Sequence, residues 1–205
     1  MIHRRPTRWI ARAAGLALAL TATIAAGTAL TAAPASAATC PARSVSKPFT
    51  GFGDSNDYFL APAGAFESGA PGWSQYGTSL VANNEPWRVN GYGSYGLRIG
   101  ANGSASTPSM CIATAEDSMR FFYKAPGVGG SALQVFIEVT SGVKYATNQF
   151  TVDGTSSGWN VSPRIMLPDI RDASGVQYVK ITFRPVNTQA PWVIDDVEID
   201  PWRTL

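Results

Sequence analysis

Leu133-Gln134-Val135-Phe136-Ile137-Glu138-Val139-Thr140 alternates in a strict two-residue rhythm. A chain with that period puts Leu133, Val135, Ile137 and Val139 on one face and Gln134, Phe136, Glu138 and Thr140 on the other, as a half-buried β-strand requires. Tyr178-Val179-Lys180-Ile181-Thr182-Phe183-Arg184 repeats the pattern, with Val179, Ile181 and Phe183 on the apolar side. Further strands are expected at 58–61, 79–81, 87–89, 96–99, 119–123, 145–152 and 192–199. The intervals hold turn formers such as Asn83-Asn84, Asn90-Gly91, Asn102-Gly103, Pro126-Gly127, Asp153-Gly154 and Ser174-Gly175. Beyond residue 37 no apolar stripe recurs at three and four, and the Gly/Ser-rich stretch Gly100 to Ser109 reads as a loop. Many short strands at this spacing predict an all-β antiparallel sandwich.

The first 37 residues follow a different logic. Arg4, Arg5, Arg8 and Arg12 make a basic start, an Ala/Leu-rich run follows from Ala13 to about Ala26, and Ala35-Ser36-Ala37 offers a small-residue cleavage site. Thr21, Thr23, Gly27 and Thr28 interrupt the apolar run before it reaches the roughly 20 residues of a membrane span. Arg4-Arg5 lacks the pattern of a twin-arginine signal, since Pro6-Thr7 follows it. The expectation is a secretory signal peptide over 1–37 and a single β-sandwich domain over 38–205, secreted and without a membrane span.

Cleavage would reverse the charge. Four of the 16 Lys/Arg lie in the leader and all 14 Asp/Glu follow it, so the remainder carries 12 minus 14, a net −2. No basic patch points to nucleic acid. His3, the one histidine, leaves with the leader, which excludes Ser-His-Asp and Cys-His catalysis and imidazole zinc sites. Cys40 and Cys111 are an even pair in an exported chain and read as a structural disulfide that ties the N-terminal segment to the body. Carboxylates remain as acid/base candidates, namely Asp54, Asp57, Glu67, Glu85, Glu116, Asp117 and Glu138. Their spacing singles out no pair for glycoside hydrolysis, so a polysaccharide-acting enzyme ranks last.

Three segments, in order, resemble the galactose-binding-like jelly-roll carbohydrate-binding modules. Gly64-Ala65-Phe66-Glu67-Ser68-Gly69 with Gly72-Trp73 is similar to their opening, Gly93-Ser94-Tyr95-Gly96-Leu97-Arg98-Ile99 to an inner strand, and Trp192-Val193-Ile194-Asp195-Asp196-Val197 to their closing strand. The chain also resembles a group of secreted actinobacterial proteins through Pro48-Phe49, Gly53-Asp54, Asn84-Glu85-Pro86 and its Ile-Asp-Asp-Val ending, and that likeness carries no function with it. The first resemblance implies a jelly roll without catalysis that binds a polysaccharide or cell-surface glycan. It also implies a structural calcium held by Glu67 and by Asp195 or Asp196, with backbone carbonyls near Ala65 completing the oxygen set.

Sugars are apolar on a ring face and hydroxylated at the edge, so their sites combine flat aromatics with charged or amide groups. Gln134, Phe136 and Glu138 on one strand and Tyr178, Lys180 and Arg184 on the other meet that description, provided the two strands line one sheet. Trp87 and Trp159 sit in loop-like settings and are further candidate platforms, although half-buried scaffolding is the commoner use. The competing function is a structural or interaction protein of the cell envelope with a protein partner.

Overall fold

A computed structural model of the chain describes residues 40–91, 93–113 and 116–200. The expected leader over 1–37 lies outside those residues, as does Trp202. Within them the chain is all-β: β1 (Phe59–Leu60), β2 (Ser74–Val81), β3 (Gly96–Ser106), β4 (Met110–Ile112), β5 (Ser118–Lys124), β6 (Ala132–Ser141), β7 (Lys144–Asp153), β8 (Trp159–Val161), β9 (Ile165–Met166), β10 (Gln177–Val186) and β11 (Trp192–Asp200). The only helical element described is one 3-10 turn at Thr50–Phe52. No helix among the described residues is long and apolar enough to cross a membrane.

All strand ladders are antiparallel, and the main order is β7-β6-β10-β3-β11-β5-β8. This sheet curls into the two layers of a jelly-roll sandwich, and β3 is the strand that turns the corner. Its end pairs with β10 through Ser106–Thr182 and Ala105–Phe183, while its start pairs with β11 through Leu97–Ile194 and Ile99–Trp192. The bend falls where side chains are smallest. A Cβ on Gly103 would stand 2.8 Å from the Gly77 carbonyl oxygen and 2.9 Å from that of Tyr76. Opposite it, β2 bulges between Tyr76 and Thr78, with Gly77 at φ +60°. The stretch expected to be a loop after Gly100 is therefore strand as far as Ser106. Its Gly/Ser/Ala composition reflects a corner rather than a missing partner.

The core between the layers takes Leu133, Val135, Ile137 and Val139 of β6 and Val179, Ile181 and Phe183 of β10, each fully buried. The alternation of both strands thus holds in detail. Trp73 and Trp192 belong to the same core. The Trp73 indole donates to the Pro62 carbonyl at 2.8 Å and that of Trp192 to the Ser131 hydroxyl at 3.2 Å, so neither polar end is stranded by burial.

The two layers differ on their outer sides. Residues 47–58 and the 85–89 loop fold over the β5–β11 layer, where Phe49, Tyr58 and Phe122 form a second buried cluster with Phe52, Val89 and Trp159 against it. Every residue of β11 is consequently buried. Among the described residues the β7-β6-β10 layer has no such cover, and its outward residues stay open to solvent. The segment 87–89, expected as a strand, is part of the cover instead. The Glu85 carboxylate accepts from the backbone N–H groups of Trp87 and Val89, at 2.5 and 2.8 Å, and holds the chain in a turn.

Candidate functional site

On the open layer, the register brings the predicted residues of β6 and β10 into adjacent rows. Phe136 lies opposite Thr182, Glu138 opposite Lys180, and Gln134 opposite Arg184. Outward neighbours on β7 extend the rows, with Gln149 opposite Phe136 and Tyr145 opposite Thr140. The result is a lane along β10 with Tyr178 at one end and Arg184 at the other, six residues or about 20 Å apart. Phe136 is 36% exposed, Tyr178 49% and Tyr145 61%, so three rings stand on this surface among polar groups. The Tyr145 hydroxyl donates to Glu138 at 3.3 Å. Tyr145 joins this surface through the pairing of β6 with β7, which no pattern in the sequence sets.

Each end of the lane meets a cavity. Tyr178 borders a cleft of about 500 Å³ between the edge strands β1 and β4, floored by Phe59 and Met110 and walled by Pro41, Leu60 and Pro62. Arg184 borders a cavity of about 390 Å³ with Asn102, Asn187, Thr188 and Gln189. The first is chiefly apolar in its lining, and the second combines amide and hydroxyl groups with Ala101, Pro185 and Val186.

The wall at Pro41 exists because the N-terminal segment is fastened there. Cys40 and Cys111 form the expected disulfide, with Cα atoms 5.5 Å apart and a sequence separation of 71. Beside it Arg43 donates to the Glu116 carboxylate and to the Cys111 carbonyl, and its guanidinium lies 4.0 Å above the Phe59 ring centre. Of the tryptophan platforms considered, Trp87 is partly exposed but packs edge-on against Phe52 at 4.8 Å, while Trp159 is half-buried and donates to Asn83 at 3.3 Å.

The carboxylates named from sequence have definite partners. Asp54 accepts from Tyr58 at 2.7 Å and from Arg120 at 2.9 Å. Burial pushes its carboxyl up, but the bonds from Tyr58, the Asn56 N–H and Arg120 outweigh that and hold it below the usual range. Burial and the Asp54 charge drive the Tyr58 hydroxyl well above its ordinary value. Glu116 is paired to Arg43, and Asp57 lies 3.5 Å from Lys47.

Glu67 and Asp196 meet at a small cavity of about 20 Å³ lined also by Ala65, Asn84, Glu85 and Asn90. That volume suffices for one water-sized occupant. Asp195 is not among its lining residues; it accepts from the Glu85 N–H at 3.1 Å and from the Asp196 N–H at 2.9 Å. The neighbours separate because β11 bulges between Asp195 and Glu198, with Asp196 at φ +42°. Burial is the main force on these groups. It pushes Asp195 to about 9, with the Asp196 charge adding to it. Asp196 rises to about 7 through burial and the charges of Glu85 and Glu67, against a hydrogen bond from Asn90. Glu198 rises to about 7 for the same first reason, and its Oε2 is buried without a partner among the described residues.

The donor set suits a hard cation in kind, being carboxylate and amide oxygen. In arrangement it is incomplete. Among the described residues no three acidic, imidazole or thiol groups converge as a ready metal centre, and Glu67 Oε1 accepts from the Ser94 and Tyr95 N–H groups at 2.8 and 2.9 Å. Glu85 was not a predicted ligand. Its position at the cavity follows from the covering loop, which sequence alone did not place.

No protein-family model matches the chain. No curated protein matches it either. Solved structures similar to it include TmCBM61 in complex with β-1,4-galactotriose, at 15% identity over 68% of this chain and 96% of that one, TM-score 0.46. A family 16 carbohydrate-binding module is 16% identical over 68% of this chain and 98% of that one, TM-score 0.47. The CBM22-1 xylan-binding domain from Paenibacillus barcinonensis Xyn10C is 16% identical over 66% of this chain and 90% of that one, TM-score 0.47.

Proposed function

We propose that the protein is a secreted, non-catalytic module that binds a polysaccharide or cell-surface glycan along the outer face of β6 and β10. The observation that supports this most directly is the register of the two strands. It places Phe136 and Tyr178 among Gln134, Glu138, Lys180 and Arg184 on the layer that none of the described residues covers. Rings offer their faces to pyranose C–H groups, while amide, carboxylate and ammonium groups reach the hydroxyls at the ring edge. A lane of about 20 Å suits an extended chain of several sugars rather than a single one.

The test is retention of the purified protein on a panel of insoluble and immobilised polysaccharides. Binding to at least one of them should weaken about tenfold or more in Phe136→Ala and in Tyr178→Ala, with unchanged melting temperature. Retention that neither substitution alters would put the site elsewhere.

A second reading, an interaction protein of the cell envelope, draws support from the cleft between β1 and β4. It is the most apolar opening described and its wall is a covalently fastened segment. Protein capture that survives Phe136→Ala but not Phe59→Ser would favour it. For calcium, the proposal is that Glu67, Glu85 and Asp196 hold one ion at the small cavity with amide and carbonyl oxygens. The ion would supply positive charge to carboxylates gathered at one small cavity.

A further inference from the structure

We infer that the glycan taken by this lane is anionic, with charges that recur along the chain; the inference rests on the lane reading above and narrows its ligand. It starts from how the basic residues are used. Arg43, Lys47, Arg120, Arg164 and Arg171 are all in ion pairs, and Lys144 donates to the Arg171 carbonyl. Lys180 and Arg184 have no ion pair among the described residues, although the chain beyond residue 37 carries more acids than bases.

Lys180 has a carboxylate directly across the ladder in Glu138, yet the two do not pair; Glu138 takes the Tyr145 hydroxyl instead. Arg184 borders the cavity that holds the amides and hydroxyl of Asn102, Asn187, Thr188 and Gln189, which no carboxylate among the described residues lines. Amides and hydroxyls already serve neutral sugars. A permanently charged planar fork among them adds recognition of a carboxylate, sulfate or phosphate through paired N–H donors.

The spacing carries the argument further. Lys180 and Arg184 are four residues apart on one face, about 14 Å. Between them lie Thr182 and, one strand over, Phe136. One ionic substituent could satisfy one of these cations. Satisfying both along a continuous lane takes a polymer with repeated acidic groups, such as a polyuronate or a sulfated glycan. Arg98 and Lys124 also lack ion pairs among the described residues, but they stand on β3 and β5, outside the lane, and serve as controls.

The experiment compares polymers that differ in charge alone: polygalacturonate against its fully methyl-esterified form, and dextran sulfate against dextran. Preference for a charged member by about tenfold at about 0.05 M salt, lost at about 0.5 M, is the expected result. Arg184→Gln and Lys180→Gln should each cut that preference about threefold with unchanged melting temperature, and Lys124→Gln should leave it intact. Preference for the uronate or for the sulfate identifies the acidic group. Equal binding of charged and neutral members, sensitive to Phe136→Ala, overturns the inference and leaves the lane. Failure to bind any polymer overturns both.

Discussion

Glu138 and Lys180 face each other across the β6–β10 ladder without forming an ion pair, and Glu138 is held by Tyr145 from the far side. An exposed cross-strand pair of opposite charges ordinarily gains a few tenths of a kcal/mol to about 1 kcal/mol. Here the carboxylate is drawn to β7 and the ammonium is left toward the solvent. If the lane takes an anionic chain, Glu138 is the one repulsive group in its middle. Glu138→Gln should therefore raise affinity for polygalacturonate about threefold to tenfold while changing that for a neutral polymer far less, since the amide still meets sugar hydroxyls, as read by affinity electrophoresis at low salt.

The disulfide supports the next prediction. In the chain-entropy view, closing a loop of this length stabilises by about 4 kcal/mol, and the bridge spans 71 residues. The paired replacement of Cys40 and Cys111 by alanine should lower stability by about 2–4 kcal/mol in urea titrations. It should also release Arg43 from Phe59, because the segment that carries it is no longer fastened. Binding at Phe136 should persist at temperatures where the variant is folded. Coincident loss of both would mean that the fastened segment belongs to the lane.

The corner of β3 predicts a steric penalty. Gly103→Ala places a methyl against two carbonyl oxygens closer than real Cβ atoms stand, so a loss of about 1–3 kcal/mol is expected from forced backbone shifts. Gly51→Ala, with nothing within 4 Å of the added carbon, is the neutral comparison. Equal melting temperatures for the two variants would show that β3 does not bend as tightly as described.

These cases also show which parts of the molecule could be read from residues alone. Leu133–Thr140 and Tyr178–Arg184 announced themselves because each is one strand with a wet face and a dry face. β11 did so less clearly, since the cover laid over it buries both of its faces. Ser104, Ala105 and Ser106 have no alternation to show; they are strand because β2 and β10 flank them. Met110–Ile112, Trp159–Val161 and Ile165–Met166 are too short to carry a period. The lane residues were found individually, but their adjacency depends on a register that hydrophobic pattern sets only after the partners are known. Glu85 was legible as one carboxylate among seven and as part of the Asn84-Glu85-Pro86 segment, but its place at the cavity comes from the loop that carries it to Asp196.

The buried acids of β11 give the last prediction its sign. Unfolded Asp and Glu titrate near pH 4, whereas Asp196 and Glu198 do so at about 7 and Asp195 at about 9 in the fold, chiefly through burial. Between those values the folded chain retains protons that the unfolded chain has released, so stability must fall as pH rises. The contribution is full below about pH 4 and is lost through about 7 and then about 9. Asp54, held low, opposes this only under strongly acidic conditions. In chelator, the melting temperature should decline from about pH 5 to about pH 9, and Asp196→Asn should flatten part of the slope. Calcium at about 1 mM should restore several degrees at pH 8, because a cation would replace the missing protons, and should restore less in Glu67→Gln. A slope that calcium leaves untouched would retain the buried acids and remove the ion from the proposal. A flat profile in chelator would contradict the burial of the acids themselves.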